Sequence, residues 1–61
     1  MEHYLSVGTL VELTWFTQSY LGLVVSESSA IPGHFNIFIM ENGEEAMRSS
    51  GEVKVIAYAS R

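Results

Sequence analysis

The stretch YLGLVVSE, residues 20–27, constrains this chain more than any other. A glycine sits inside an apolar run, and polar residues follow at once. Such a run predicts a bent central strand, because Gly22 has no side chain and can turn sharply or admit a neighbouring chain. Apolar runs of similar length lie before and after it, so the expected product is a small sheet organised around that strand.

The flanking segments alternate with a period of two, the signature of strands that are buried on one side. From Val7 onward, Val7, Thr9, Val11, Leu13 and Trp15 share one face, and Leu10, Glu12, Thr14 and Phe16 share the other. Gly8 suggests a bulge or a tight approach at the start. Residues 16–19 read as a short polar connection. The second strand is expected to turn Leu21, Leu23 and Val25 inward, with Tyr20, Gly22, Val24 and Ser26 on the opposite face. Residues 28–33 form a loop ending in Pro32-Gly33, a turn pair in which proline presets φ and glycine accepts a positive φ. A third strand over 34–40 places Phe35, Ile37 and Ile39 together. Asn42-Gly43 predicts a tight hairpin turn of the primed type. Residues 44–48 are too few for an isolated helix and read as a short returning strand. After a turn at Ser49-Ser50-Gly51, the last strand covers 53–58, with Val53, Val55 and Ala57 opposed to Lys54, Ile56 and Tyr58. Five short strands over residues 1–61 make one all-β domain, a small barrel or sandwich that is partly open. Near closure is expected, since exposed apolar edges invite aggregation.

Composition bears on how so small an object stays folded. A chain of 61 residues leaves a thin stability margin. The sequence has no cysteine, so neither a disulfide nor a thiolate zinc site can widen that margin. Hydrophobic residues make up 48% and charged residues only 16%, which favours a homo-oligomer that hides part of its surface. The net charge of -4, with only Arg48, Lys54 and Arg61 positive, argues against a grip on phosphates, so neither nucleic acid nor an anionic membrane is an expected partner. No apolar run approaches the roughly 20 residues of a membrane span, and the first residues lack a signal-peptide pattern.

The second face of the sheet is unusually apolar. Tyr20, Val24, Phe38, Met40, Ile56 and Tyr58 lie opposite the predicted core. Twisted strands that bury part of both faces would explain them; an exposed patch that pairs subunits or binds another protein would explain them equally well. Trp15, Phe16 and Tyr20 flank one connection, and aromatic residues so placed serve as interface anchors or as core caps. Catalysis is not expected. His34 near Ser28 or Ser29 lacks an orienting carboxylate and a nucleophile elbow. His3 and His34 with a glutamate match no ligand spacing, so no metal or cofactor is expected. Glu41, Glu44 and Glu45 cluster at a turn, where carboxylates are solvated and keep a protein soluble.

Taken together, Gly-Thr-Leu-Val at 8–11, Gly-Leu-Val-Val at 22–25, the aliphatic strand over 35–39 ending in Asn42-Gly43, and Val-Lys-Val-Ile at 53–56 resemble the small SH3-like barrels. The same rhythm is similar to that of many short phage and marine viral proteins. The resemblance implies a partly open five-stranded SH3-like barrel acting as a structural or protein-interaction module. It would sit in the cytoplasm of a host cell, or in a virion if viral. Barrels of this kind also bind nucleic acid, which is the alternative role. The basic residues of the ribosomal and transcription-factor barrels are missing here, and Trp15 is not where a proline-recognition groove would place it.

Overall fold

The computed structural model describes residues 5–59. His3 and Arg61 lie outside the described residues. Five strands follow in order: β1 (Leu10–Trp15), β2 (Gln18–Glu27), β3 (His34–Ile39), β4 (Glu45–Ser49) and β5 (Val53–Ala57). A 3-10 turn, Ser50–Glu52, precedes β5. All pairings are antiparallel, in the sheet order β4-β3-β2-β1-β5. The fold is therefore all-β with the five strands expected from the sequence. The sheet is open rather than closed, because β4 and β5 form its two edges and do not pair with each other.

A single sheet can enclose side chains only by curling over them. Leu5, Val11, Leu13, Val24, Phe35, Ile37 and Ile39 are buried on the inner side. Ala46 from one edge strand, and Val53 and Val55 from the other, pack against this same cluster. The two edges thus face one core across an unladdered seam. Arg48 of β4 reaches across to β1: one guanidinium nitrogen donates to the Thr14 carbonyl (3.3 Å), and the other to the Met47 carbonyl of its own strand (2.9 Å).

The inner face of β2 is the reverse of the one expected. Val24 is fully buried, whereas Leu21 and Val25 are exposed. Register is the cause. Phe16 and Thr17 form a two-residue turn that sets Trp15 against Gln18, so Tyr20 falls opposite Leu13 and Gly22 opposite Val11. Residues opposite one another share a face, so Tyr20, Gly22 and Val24 join Val11 and Leu13 on the core side. Gly22 is needed there for space rather than for backbone freedom. A Cβ at this position would collide with the Ile37 side chain and crowd Leu13 and the Phe38 carbonyl at 3.2 Å each. Beyond Val24 a register shift leaves Val25 unpaired. Ser26 then points outward with Asn36, whose side-chain amide donates to the serine hydroxyl (2.9 Å).

The connections follow local chemistry. Gly8 has φ +98 and donates its N–H to the Val24 carbonyl (2.8 Å), the tight approach suggested by the sequence. β1 consequently begins at Leu10, and Val7 is solvent-exposed. The Pro32-Gly33 turn forms as expected, with Gly33 at φ +80 and the His34 N–H donating to the Ile31 carbonyl (3.2 Å). The second hairpin differs from the primed turn expected. Its loop spans four residues, 40–43, closed by the Ile39 N–H to the Glu44 carbonyl (2.7 Å) and the Gly43 N–H to the Ile39 carbonyl (2.8 Å). Only Gly43 takes a positive φ, +75, whereas a primed turn would need Asn42 to do so as well. Before β5, the Ser49 N–H donates to a Glu52 carboxylate oxygen (2.8 Å), and these contacts with Ser49 hold the Glu52 carboxyl below its ordinary pKa. Among the described residues, one buried side-chain polar group is left over: the Thr9 hydroxyl is enclosed without a hydrogen-bond partner.

Candidate interaction surface

The outer face of the sheet carries a continuous apolar row. Leu10 on β1 pairs with Leu23 on β2, and Leu23 pairs with Phe38 on β3, so the three lie side by side across the strands. Leu21 and Met40 extend the row on one side; the Met40 N–H donates to the Leu21 carbonyl (3.1 Å). Met47, opposite Asn36, flanks it on the other. Leu21, Phe38, Met40 and Met47 are each more than a third exposed. Their solvation by water is unfavourable in proportion to that apolar area.

Next to this face stands the tip of the first hairpin. Phe16 has φ +60, a left-handed backbone that a bulky residue adopts only at a cost. Its side chain is 87% exposed. The ring stacks on Trp15 (centroids 6.0 Å apart, planes 10° apart), and Trp15 meets Tyr20 edge-on at 6.2 Å. Trp15 and Tyr20 are themselves half-buried against the core. The Tyr20 hydroxyl donates to the Gln18 side-chain carbonyl (3.2 Å), which fixes the ring. The three aromatics therefore form a ladder from core to solvent with Phe16 as its free end. No Asp, Glu, Lys, Arg or His occurs from Leu13 to Ser26.

Beside the hairpin lies a shallow groove of about 330 Å³, lined by Ser19, Tyr20, Leu21, Met40 and Glu41. Its apolar wall comes from Leu21 and Met40, and its polar rim from Ser19 and Glu41.

The residues singled out in the sequence thus separate. Phe16, Phe38, Met40, Ile56 and Tyr58 are exposed; Trp15 and Tyr20 are half-buried core neighbours; Val24 belongs to the core and is removed from the surface set. Ile56 sits at a register shift, unpaired between the Val11–Val55 and Leu10–Ala57 pairs. Leu21, Leu23 and Met47, which strand alternation had not indicated, join the outer surface with Leu10, which alternation had already set opposite the core. The register set by the two-residue turn would have revealed the β2 leucines.

Among the polar candidates, Ser28 and His34 meet through the backbone, the Ser28 N–H donating to the His34 carbonyl (2.8 Å). The Ser28 hydroxyl accepts the Ala30 and Ile31 N–H groups (3.2 Å each), and His34 Nδ1 lies 3.4 Å from the Pro32 carbonyl. Glu41, Glu44 and Glu45 are exposed around the second hairpin loop. Among the described residues, no group of three or more His, Cys, Asp or Glu is placed to hold a metal ion, and no helix is long and apolar enough to cross a membrane. Comparison with protein-family models, curated proteins and solved structures finds no match to this chain.

Proposed function

We propose that the protein is a small structural or protein-interaction module, of the SH3-like kind that its sequence resembles, and that it works by associating with further copies of itself. One observation carries this reading: the Leu10–Leu23–Phe38 row, continued by Leu21, Met40 and Met47, leaves an apolar outer face on a domain whose core is already complete. An exposed apolar row with Glu12, Glu41, Glu45 and Lys54 at its margins supports this reading, since contiguous apolar surface with a polar border is typical of association sites. The low proportion of charged residues favours the same conclusion. Nucleic-acid binding, the alternative role, gains no support from the described cations: Arg48 donates to two carbonyls, and Lys54 stands opposite Glu12.

Sedimentation equilibrium from low to high micromolar concentration tests the proposal. The expected result is a mass above that of a single 6.8 kDa chain, returning to the single-chain value in Phe38→Asp. A wild-type protein that stays at the single-chain mass throughout the range rejects it.

A further inference from the structure

The first hairpin presents a projecting ring, and the same chain carries a hollow of a size to receive one. We infer that self-association proceeds by reciprocal docking, in which Phe16 of one copy enters the groove of a second copy lined by Tyr20, Leu21 and Met40. This rests on the self-association proposed above and specifies its contact.

Four observations carry the inference. First, Phe16 holds a left-handed backbone although a glycine or asparagine would adopt it far more readily. Backbone outliers of this kind gather at binding and switching sites, where the cost is offset by an interaction that needs the geometry. Second, the ring is 87% exposed beside Trp15, so docking would take most of its apolar area out of water. Third, the groove fits. A hydrophobic cavity of about 150 Å³ accepts benzene, and this groove offers about 330 Å³ with Leu21 48% and Met40 46% exposed. Methionine is flexible and makes favourable sulfur–aromatic contacts, so Met40 can close around an incoming ring. Fourth, two copies of a chain with net charge -4 repel, but the stretch from Leu13 to Ser26 carries no Asp, Glu, Lys, Arg or His. The hairpin therefore brings no like charge to Glu41, the one carboxylate on the rim of the receiving groove.

A knob and a hole on one surface are both satisfied at once by a two-fold axis, so the expected assembly is a closed dimer rather than a growing chain. Trp15, the only tryptophan, lies directly beneath Phe16 and reports on the contact. Its emission is expected to shift to shorter wavelength as protein concentration rises through the association range.

The decisive experiment compares wild type, Phe16→Ser, Met40→Lys and Phe38→Asp by sedimentation equilibrium and tryptophan emission, with circular dichroism as the check on folding. Phe16 and Met40 lie in exposed turns, so both variants are expected to keep the wild-type spectrum. The expected result is a dimer for wild type and at least about tenfold weaker association for Phe16→Ser and for Met40→Lys, the loss of one buried anchor. An equimolar mixture of Phe16→Ser and Met40→Lys restores one intact knob-and-hole pair, so it associates more strongly than either variant alone. Wild type that dimerises, with Phe38→Asp breaking the dimer while Phe16→Ser leaves it unchanged, overturns the docking geometry and preserves the outer-face reading. Wild type that remains a single chain overturns both. If both variants weaken association but the mixture gives no recovery, the reciprocal pairing is wrong.

Discussion

Phe35 and Phe38 occupy the same strand three residues apart, and the sheet treats them in opposite ways. Phe35 is 1% exposed among Leu13, Ile37 and Val24, whereas Phe38 is 37% exposed on the outer row beside Leu23. In β2 the two faces contain much the same residue types, so there hydrophobicity alone did not choose the inside. Register and available volume chose it. The inner face is the one on which Gly22 leaves room for Ile37 to nest, and on which the two-residue turn aligns Tyr20, Gly22 and Val24 with Leu13 and Val11. The outer face has no counterpart to that fit, and its leucines and methionines are left partly wet.

Substitution of the two phenylalanines is the widest test of this contrast. Phe35→Ala is expected to cost about 3–5 kcal/mol, enough to unfold a domain this small, because it leaves a cavity in an enclosed cluster. Phe38→Ala removes a partly solvated ring and is expected to cost less than about 1 kcal/mol in the single chain. Urea denaturation followed by circular dichroism at low protein concentration measures both; equal losses would mean that the outer face also carries the core. A smaller effect is expected at Gly22. Gly22→Ala inserts a methyl group where Ile37 already sits, at about 1–3 kcal/mol, while Leu21→Ala next to it should change chain stability little. Gly22→Ala that proves neutral would show that the inner face packs loosely.

Two substitutions are expected to stabilise. Thr9→Val keeps the shape and removes the enclosed hydroxyl that has no partner, for a gain of about 1–2 kcal/mol. A loss on this change would mean that the hydroxyl is hydrated within the fold. Phe16→Gly relieves the left-handed backbone and is expected to add about 1 kcal/mol to the stability of the single chain while weakening association. Thermal melts at a concentration too low for association isolate the first effect; no gain would place the hairpin strain elsewhere.

Much of this architecture was legible in the sequence. Alternation located four of the strands, and the shortness of the segment returning from the hairpin gave the fourth in sequence; alternation also put Val11, Leu13, Phe35, Ile37 and Ile39 on inner faces, because in β1 and β3 one face is clearly more apolar than the other. The same method failed for β2, where Leu21, Leu23 and Val25 compete with Tyr20, Gly22 and Val24 on nearly equal terms. Only the turn before it decides the matter, and Phe16-Thr17 carries none of the usual hairpin residues. The aromatic cluster was visible as residue types, but its geometry was not. Nothing in the sequence marks Phe16 as the exposed end or Val24 as core. The Asn42-Gly43 pair marked the second hairpin correctly but not its length, since Gly43 alone supplies the positive φ that a four-residue loop requires.

The Arg48 bridge to Thr14 has a consequence for how the domain comes apart. Between β4 and β5 the curl is closed by apolar packing on the shared core, without a backbone ladder, and Arg48 ties β4 to β1 rather than to the opposite edge. Amide protons along those two margins therefore exchange with solvent sooner than those of β1, β2 and β3, and the molecule opens like a coat along its front rather than tearing at the back.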